Sequence, residues 1–232
     1  MVALLMSYPR SGNHLARAFL EAKSGQPTLG CAENPHDTPI RDRFANTAPF
    51  PRRLDEPVAQ KIHRSYEELD ILCEGSKISR ICLIVRDPGR CLISQMNRNL
   101  AGLPWLKALR AKRRLRRPGY VARKTVLELE QWLSLVNNYI ASDVPKLALS
   151  FEALTSEGRL SEVNDRLLPF FGINHHFENL AELDYVGGFG RESQRSKIKK
   201  LPEEIYKGFD KNSEKIRSLV DYETLCSRIG AK

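Results

Sequence analysis

Apolar and polar positions alternate along this chain in blocks that switch between the short runs of strands and the longer spacing of helices. The first twenty residues pass from an apolar run, Val2-Ala3-Leu4-Leu5-Met6, through a polar, turn-forming segment, Ser7 to Gly12, into helical spacing from Leu15 to Glu21. That order reads strand, loop, helix. Further strand candidates are Val58-Ala59-Gln60-Lys61-Ile62, the continuous apolar run Arg80-Ile81-Cys82-Leu83-Ile84-Val85, and Lys146-Leu147-Ala148-Leu149-Ser150. A run apolar at every position suits a strand buried on both faces. Between them, Ser65 with Glu68 forms a capping box that opens a predicted helix over 65–74, and Pro88 suits the first turn of a helix ending near Asn99. Val126, Leu127, Leu129, Trp132, Leu133, Leu135, Val136 and Tyr139 give a core-facing helix over 125–140. Helices are also predicted over 159–171 and 202–220, with weak periodicity between Asn174 and Pro202. Strands that are each followed by a helix predict an α/β protein, a three-layer α/β/α arrangement around a central parallel sheet. The segment from Ser24 to Pro57, with six prolines and no sustained period, reads as a long surface loop, and His36 within it as solvent-facing.

Composition narrows the class. A chain of 232 residues with 41% hydrophobic and 8% aromatic content fits one globular domain over 1–232. No apolar run approaches the roughly 18 residues that span a bilayer, and the apolar start is too short for a signal peptide, so the expected compartment is the cytoplasm. Five cysteines, 31, 73, 82, 91 and 226, form no C-x-x-C pair, which argues against a disulfide framework and a zinc site. Lys and Arg number 37 against 28 Asp and Glu, a net charge of +9, and the excess favours an anionic partner.

Candidate chemistry gathers where strands end. The loop after the first strand directs backbone N–H groups to one point at a helix N-terminus, Gly12 allows close approach of an anion, and Arg10 adds a planar cation. Ser11, Asn13 and His14 complete this P-loop-like strand-loop-helix. A nucleotide-kinase loop reads G-x-x-x-x-G-K-[ST], and here Asn13-His14 stand in place of its Lys-Ser/Thr. The loop is therefore suited to phosphate and lacks the metal-holding hydroxyl; an ordinary strand-to-helix turn with an exposed Arg is the plain alternative. Arg86 at a strand end and Ser94 on the next helix can meet one phosphate, one by charge and one by hydroxyl. The alternative is a capped junction with Arg86 paired to a carboxylate. Lys61 and His63 share a strand face, with His63 just beyond the carboxyl end where open parallel sheets bind ligands.

Three stretches together resemble the PAPS-dependent sulfotransferases. The family's 5′-phosphosulfate loop is usually Tyr-Pro-Lys-Ser-Gly-Thr-Thr-Trp; this chain keeps Tyr8-Pro9-x-Ser11-Gly12 and carries Arg10, Asn13 and His14. Arg86-Asp87-Pro88 with Ser94 eight residues after the Arg matches the 3′-phosphate motif, and Lys61-Ile62-His63 resembles the family's Lys-Thr-His. Weaker matches are Phe151-Glu152-Ala153-Leu154 and Phe170-Phe171-Gly172. The resemblance implies PAPS as co-substrate, no metal, and transfer of a sulfuryl group to an acceptor hydroxyl. His63 would be the general base, with His14 the other candidate, and Arg10 and Lys61 would serve the transferring group. Arg10, Ser11, Gly12, Asn13, His14, Arg86 and Ser94 would bind the nucleotide. The family closes its cofactor site with an Arg-Lys-Gly segment absent here, for which Arg191, Arg195 and Lys197 of the Gly187–Lys197 stretch could substitute; an exposed basic loop is the plain alternative.

Residues 103–124 carry nine cations: Lys107, Arg110, Lys112, Arg113, Arg114, Arg116, Arg117, Arg123 and Lys124. Pro104 and Pro118-Gly119 bracket them, which predicts a mobile cationic helix or loop. Such a stretch can recognise an acidic saccharide or glycolipid acceptor, dock peripherally on the anionic inner face of a membrane, or simply be solvated. A P-loop kinase and a non-enzymatic RNA- or polyanion-binding protein remain the rival readings. Without an RNP, KH or helix-turn-helix signature, no nucleic acid partner is expected.

Overall fold

The computed structural model describes residues 1–29, 57–63, 78–101, 104–115, 117–188 and 221–231. Five strands form an all-parallel sheet: β1 (Val2–Ser7), β2 (Thr28–Leu29), β3 (Ala59–Ile62), β4 (Ile78–Val85) and β5 (Lys146–Ser150), in the order β2-β3-β1-β4-β5. β1 is central, with Leu5 opposite Lys61 of β3 on one side and opposite Cys82 of β4 on the other. Its apolar run follows from that place, because both of its faces must be covered. The chain passes from β1 outward to β2, back to β3, and then across β1 to β4 and β5, so the connections leave the adjacent strands β1 and β3 in opposite directions. The carboxyl ends of β1 and β3 therefore flank the switch point where such sheets hold ligands.

Alternation along the strands sends side chains into two cores. Leu4, Met6, Ile62, Ile81, Leu83 and Val85 pack with Cys91 of α2 (Pro88–Ala101), Trp132, Leu135, Val136 and Tyr139 of α4 (Pro118–Ala141) and Cys226 of α7 (Tyr222–Arg228). On the opposite face Leu5, Ala59, Cys82, Ile84 and Leu149 meet Ala16, Phe19 and Leu20 of α1 (Asn13–Ser24). Val163, Leu167 and Leu168 of the helical segment α5 (residues 159–170) and Leu183 of α6 (Leu180–Gly188) complete that core. Helices thus cover both faces of the sheet, the three-layer α/β/α arrangement expected from the sequence.

Several boundaries differ from those expected. Thr28–Leu29 is not loop but β2, paired with Ala59 and Gln60. The buried Arg17 guanidinium holds it, donating from Nε to Thr28 Oγ1 at 2.6 Å and from Nη2 to Thr28 O at 3.2 Å, while Glu21 accepts from Thr28 N at 3.1 Å. Polar residues on an otherwise apolar helix face hid this edge strand from the pattern. The basic stretch is helical: α3 (Trp105–Leu115) ends just before Arg117, and α4 starts at Pro118 and runs unbroken for 24 residues, so the break expected before Thr125 is absent. Pro118 opens α4 because a helix's first turn needs no N–H there. In α5 the six residues Glu162–Leu167 are π-helical. Where periodicity is weak, α6 forms, and Gly187 and Gly188 belong to its last turn rather than to a glycine-rich loop. Its signal is local: Asn179 Oδ1 accepts from Glu182 N at 3.0 Å, and the Glu182 carboxylate accepts from Glu178 N at 2.9 Å, a capping arrangement spelled by Asn179-x-x-Glu182. The predicted helices over 65–74 and 202–220, His36, Arg191 and Arg195 lie outside the described residues.

Candidate active site

Where β1 ends the backbone turns sharply. Ser11 N donates to Tyr8 O at 3.1 Å, Arg10 takes a positive φ of 74°, and Gly12 a φ of 91°. An L side chain at Gly12 would be strained by that dihedral and would also put its Cβ 2.5 Å from the Phe151 ring. The glycine is thus required twice over. Arg10 bears the same strained geometry with a full side chain, which marks the loop as held by its surroundings. The residue that precedes α1, Gly12, has no side chain to cap it, so the loop leads into a helix N-terminus whose first N–H groups favour an anion. Beneath it, Ser11 Oγ lies 3.2 Å from Cys91 Sγ, both buried. Burial pushes the Cys91 thiol up to about 12, so it is a neutral packing group.

Arg86 and Ser94 come to the same loop, and Arg10 joins them. Arg10 Nε donates to Ser94 Oγ at 3.0 Å, and Arg86 Nη1 donates to Arg10 O at 2.9 Å. The Arg86 guanidinium also stacks over Phe151, 4.2 Å from the ring centroid. Its Nε is buried with no hydrogen-bond partner among the described residues. A buried, charged donor left unsatisfied is costly unless a ligand meets it. The sequence alternative of an Arg86–carboxylate pair is not what the described side chains form. Asp87 instead caps α2, accepting from Arg90 N at 3.0 Å.

His63 lies just past β3, with its Nδ1 2.6 Å from Ser7 O and 3.2 Å from Ser7 Oγ. A carbonyl oxygen only accepts, so in the neutral ring Nδ1 carries the proton and Nε2 the lone pair. Asn13 Nδ2 donates to Ser7 Oγ at 3.0 Å and to Leu5 O at 3.4 Å, tying the start of α1 to the same strand end. Asn13 Oδ1 is buried without a partner among the described residues. Lys61 is buried in β3 opposite Leu5, and His14 is half-buried in the first turn of α1. The β1 loop, His63 and Arg86 with Ser94 thus share one edge of the sheet; Arg191 and Arg195 are not described.

No family model and no curated protein matches the chain. Among solved structures, the mouse sulfotransferase SULT7A1 complexed with PAP is similar at 20% identity and a TM-score of 0.46, over 81% of this chain. The chain spans 62% of that structure's length.

The sequence assigns no site role to three residues of this edge, although two of them, Phe151 and Glu152, stand in a weaker family match. Phe151, which both closes on Gly12 and carries Arg86, continues the β4–β5 ladder through its N–H to Val85 O at 2.7 Å. Nothing in its local pattern distinguishes it from a core aromatic. Glu152, its neighbour, accepts from Tyr222 Oη at 3.2 Å. Glu128 of α4 accepts a hydrogen bond from Tyr8 Oη, and burial with that carboxylate beside it pushes the Tyr8 phenol well above its ordinary value. Tyr8 is thereby a fixed donor that fastens the loop to α4. Among the described residues no group of His, Cys, Asp and Glu is arranged to hold a metal ion.

Proposed function

We propose that this protein transfers the sulfuryl group of PAPS to an acceptor hydroxyl, on a saccharide or a glycolipid. The observation that carries the reading is the convergence at one sheet edge of the β1 loop, of Arg86 with Ser94, and of an imidazole whose Nδ1 is held by Ser7 O. The loop around Arg10 and Gly12 suits the 5′-phosphosulfate, and the unsatisfied Arg86 Nε with Ser94 suits a second phosphate, the 3′-phosphate. A kinase needs one polyphosphate cradle with a Lys and a metal-holding hydroxyl; the Lys61–His63 pair and a second phosphate site are no part of that design.

In the transfer, Nε2 of His63 takes the proton of the acceptor hydroxyl as its oxygen attacks sulfur. The new O–S bond forms as the bond from sulfur to the bridging phosphate oxygen breaks, and that oxygen leaves with the electron pair as part of PAP. Arg10, Lys61 and the N–H groups of the loop offset the charge that develops there. Arginine stays protonated at neutral pH, so Arg10 acts by charge alone.

The test follows PAP release from PAPS with panels of saccharide and glycolipid acceptors. His63→Ala should lower turnover by roughly 10²–10⁴ while PAP still binds. Loss of PAP binding together with turnover would make His63 a structural or nucleotide residue, and undiminished turnover with His14→Ala inactive would transfer the base role to His14.

A further inference from the structure

From Pro88 to Leu127 the chain has no acidic residue and eleven Lys and Arg. None of the hydrogen bonds described above at the β1 loop, Arg86, Ser94 and His63 comes from a cation of α3 or of the first turns of α4. On α3, Leu106, Lys107, Arg110, Arg113 and Arg114 are all exposed, at spacings that place them on one arc of the helix. On α4 the exposed positions Tyr120, Arg123, Val126 and Leu127 again follow the three-four spacing of one face. Large apolar side chains stand in water among these cations: Leu106 is 61% exposed, Val126 53% and Leu127 45%.

The position of the α4 part of this surface is fixed by two anchors. The C-terminal end of α4 at Ala141 leads directly to Lys146, the amino end of β5, whereas Glu128 meets Tyr8 just past the carboxyl end of β1. The thirteen residues between cover about 20 Å, the length of a six-residue strand. The turns from Pro118 to Leu127 therefore overhang the carboxyl edge by roughly 15 Å, on the side where His63, Arg10 and Arg86 emerge. Among the described side chains of α4, the buried apolar ones, Trp132 onward, lie below that edge.

We propose that the exposed first turns of α4, together with the cationic arc of α3 that precedes them in the chain, are a docking surface for an anionic lipid bilayer, turning the carboxyl edge of the sheet toward the membrane. Cations alone fit any polyanion. The exposed Leu106, Tyr120, Val126 and Leu127 among them favour a lipid surface, whose headgroups take the charges while its acyl boundary takes the apolar side chains. Nothing in this surface depends on the transfer reaction, and its test uses no cofactor.

The full chain is sedimented with vesicles of phosphatidylcholine, with and without phosphatidylserine, across a salt series. Binding is expected only with phosphatidylserine, weakening with salt. Arg110→Gln, Arg113→Gln, Arg114→Gln and Arg123→Gln together should lower partitioning by about fivefold per cation, on the order of several hundredfold in all. Leu106→Ser with Val126→Ser and Leu127→Ser should weaken it at unchanged charge; the sites are exposed, and an unchanged melting temperature certifies the fold. Equal partitioning to both vesicles, or to neither, overturns the proposal. So does binding that the apolar variant leaves intact and that heparin or RNA displaces, which would make α3 and the start of α4 a polyanion surface.

Discussion

Gly12 shows how narrowly the site is packed. Gly12→Ala must carry a Cβ at a φ of 91°, a cost of roughly 1–2 kcal/mol, and must also push back Phe151, on whose ring Arg86 rests. The variant should therefore melt lower and bind PAP more weakly. Adding Phe151→Ala should recover part of the melting temperature but not the affinity, because Arg86 loses its platform. Additive losses in both would mean that the two residues are uncoupled. At His63 the backbone carbonyl of Ser7 holds the ring, so Ser7→Ala should keep turnover within a factor of a few; a loss as large as that of His63→Ala would show that the hydroxyl is the essential partner. Cys91 has a raised thiol pKa in the folded chain, so it stabilises the fold fully below the unfolded value of about 8.5 and ceases to do so as pH rises through about 12. The urea midpoint of the wild type should fall toward that of Cys91→Ala over this window, and alkylating reagents should leave the native Cys91 untouched at pH 8. Rapid alkylation there would mean that the thiol is open to solvent. Most of these residue types were legible as motifs, because spacing from a strand end is written in the sequence. The contacts of Phe151, Glu128 and Glu152 were not, although the first and last stand in a weaker family match, since each reaches the site by tertiary packing across the sheet edge.

Among the elements, four strands were legible because apolar runs of strand length are bounded by turn residues. β2 was not, as its two residues are held by the buried Arg17 and Glu21 rather than by an apolar pattern. α4 was read as two pieces because its first turns are cationic and exposed, and nothing local says that Pro118 opens a helix that later becomes core. α6 was missed for the opposite reason: its cap was readable but its periodicity was weak. The cap can be weighed. Asn179→Ala removes the acceptor for Glu182 N and should cost about 1 kcal/mol, seen as a lower melting temperature with PAP binding unchanged. Lys23 adds a second tie between α1 and α6, bonding Glu182 at 2.6 Å and lowering its carboxyl pKa. That contribution is present above the unfolded carboxyl pKa and fades as pH falls through the folded one. A melting temperature unmoved by Asn179→Ala would leave α6 held by Leu183 and Lys23 alone.

At the scale of the molecule, the three layers exist to bring strand ends together. Core packing on both faces fixes β1 between β3 and β4, and the fixed strands set the distance from His63 to the loop and from the loop to Arg86. The most direct measurement is the thermal shift given by PAP and by ADP without Mg²⁺, on the wild type and on Arg86→Ala. PAP should raise the melting temperature of the wild type well above the effect of ADP, which lacks the 3′-phosphate. Arg86→Ala should weaken PAP by roughly 2–5 kcal/mol and bring the two nucleotides level. Equal shifts with PAP and ADP on the wild type, or a requirement for Mg²⁺, would contradict a site built for a 3′-phosphorylated sulfuryl donor.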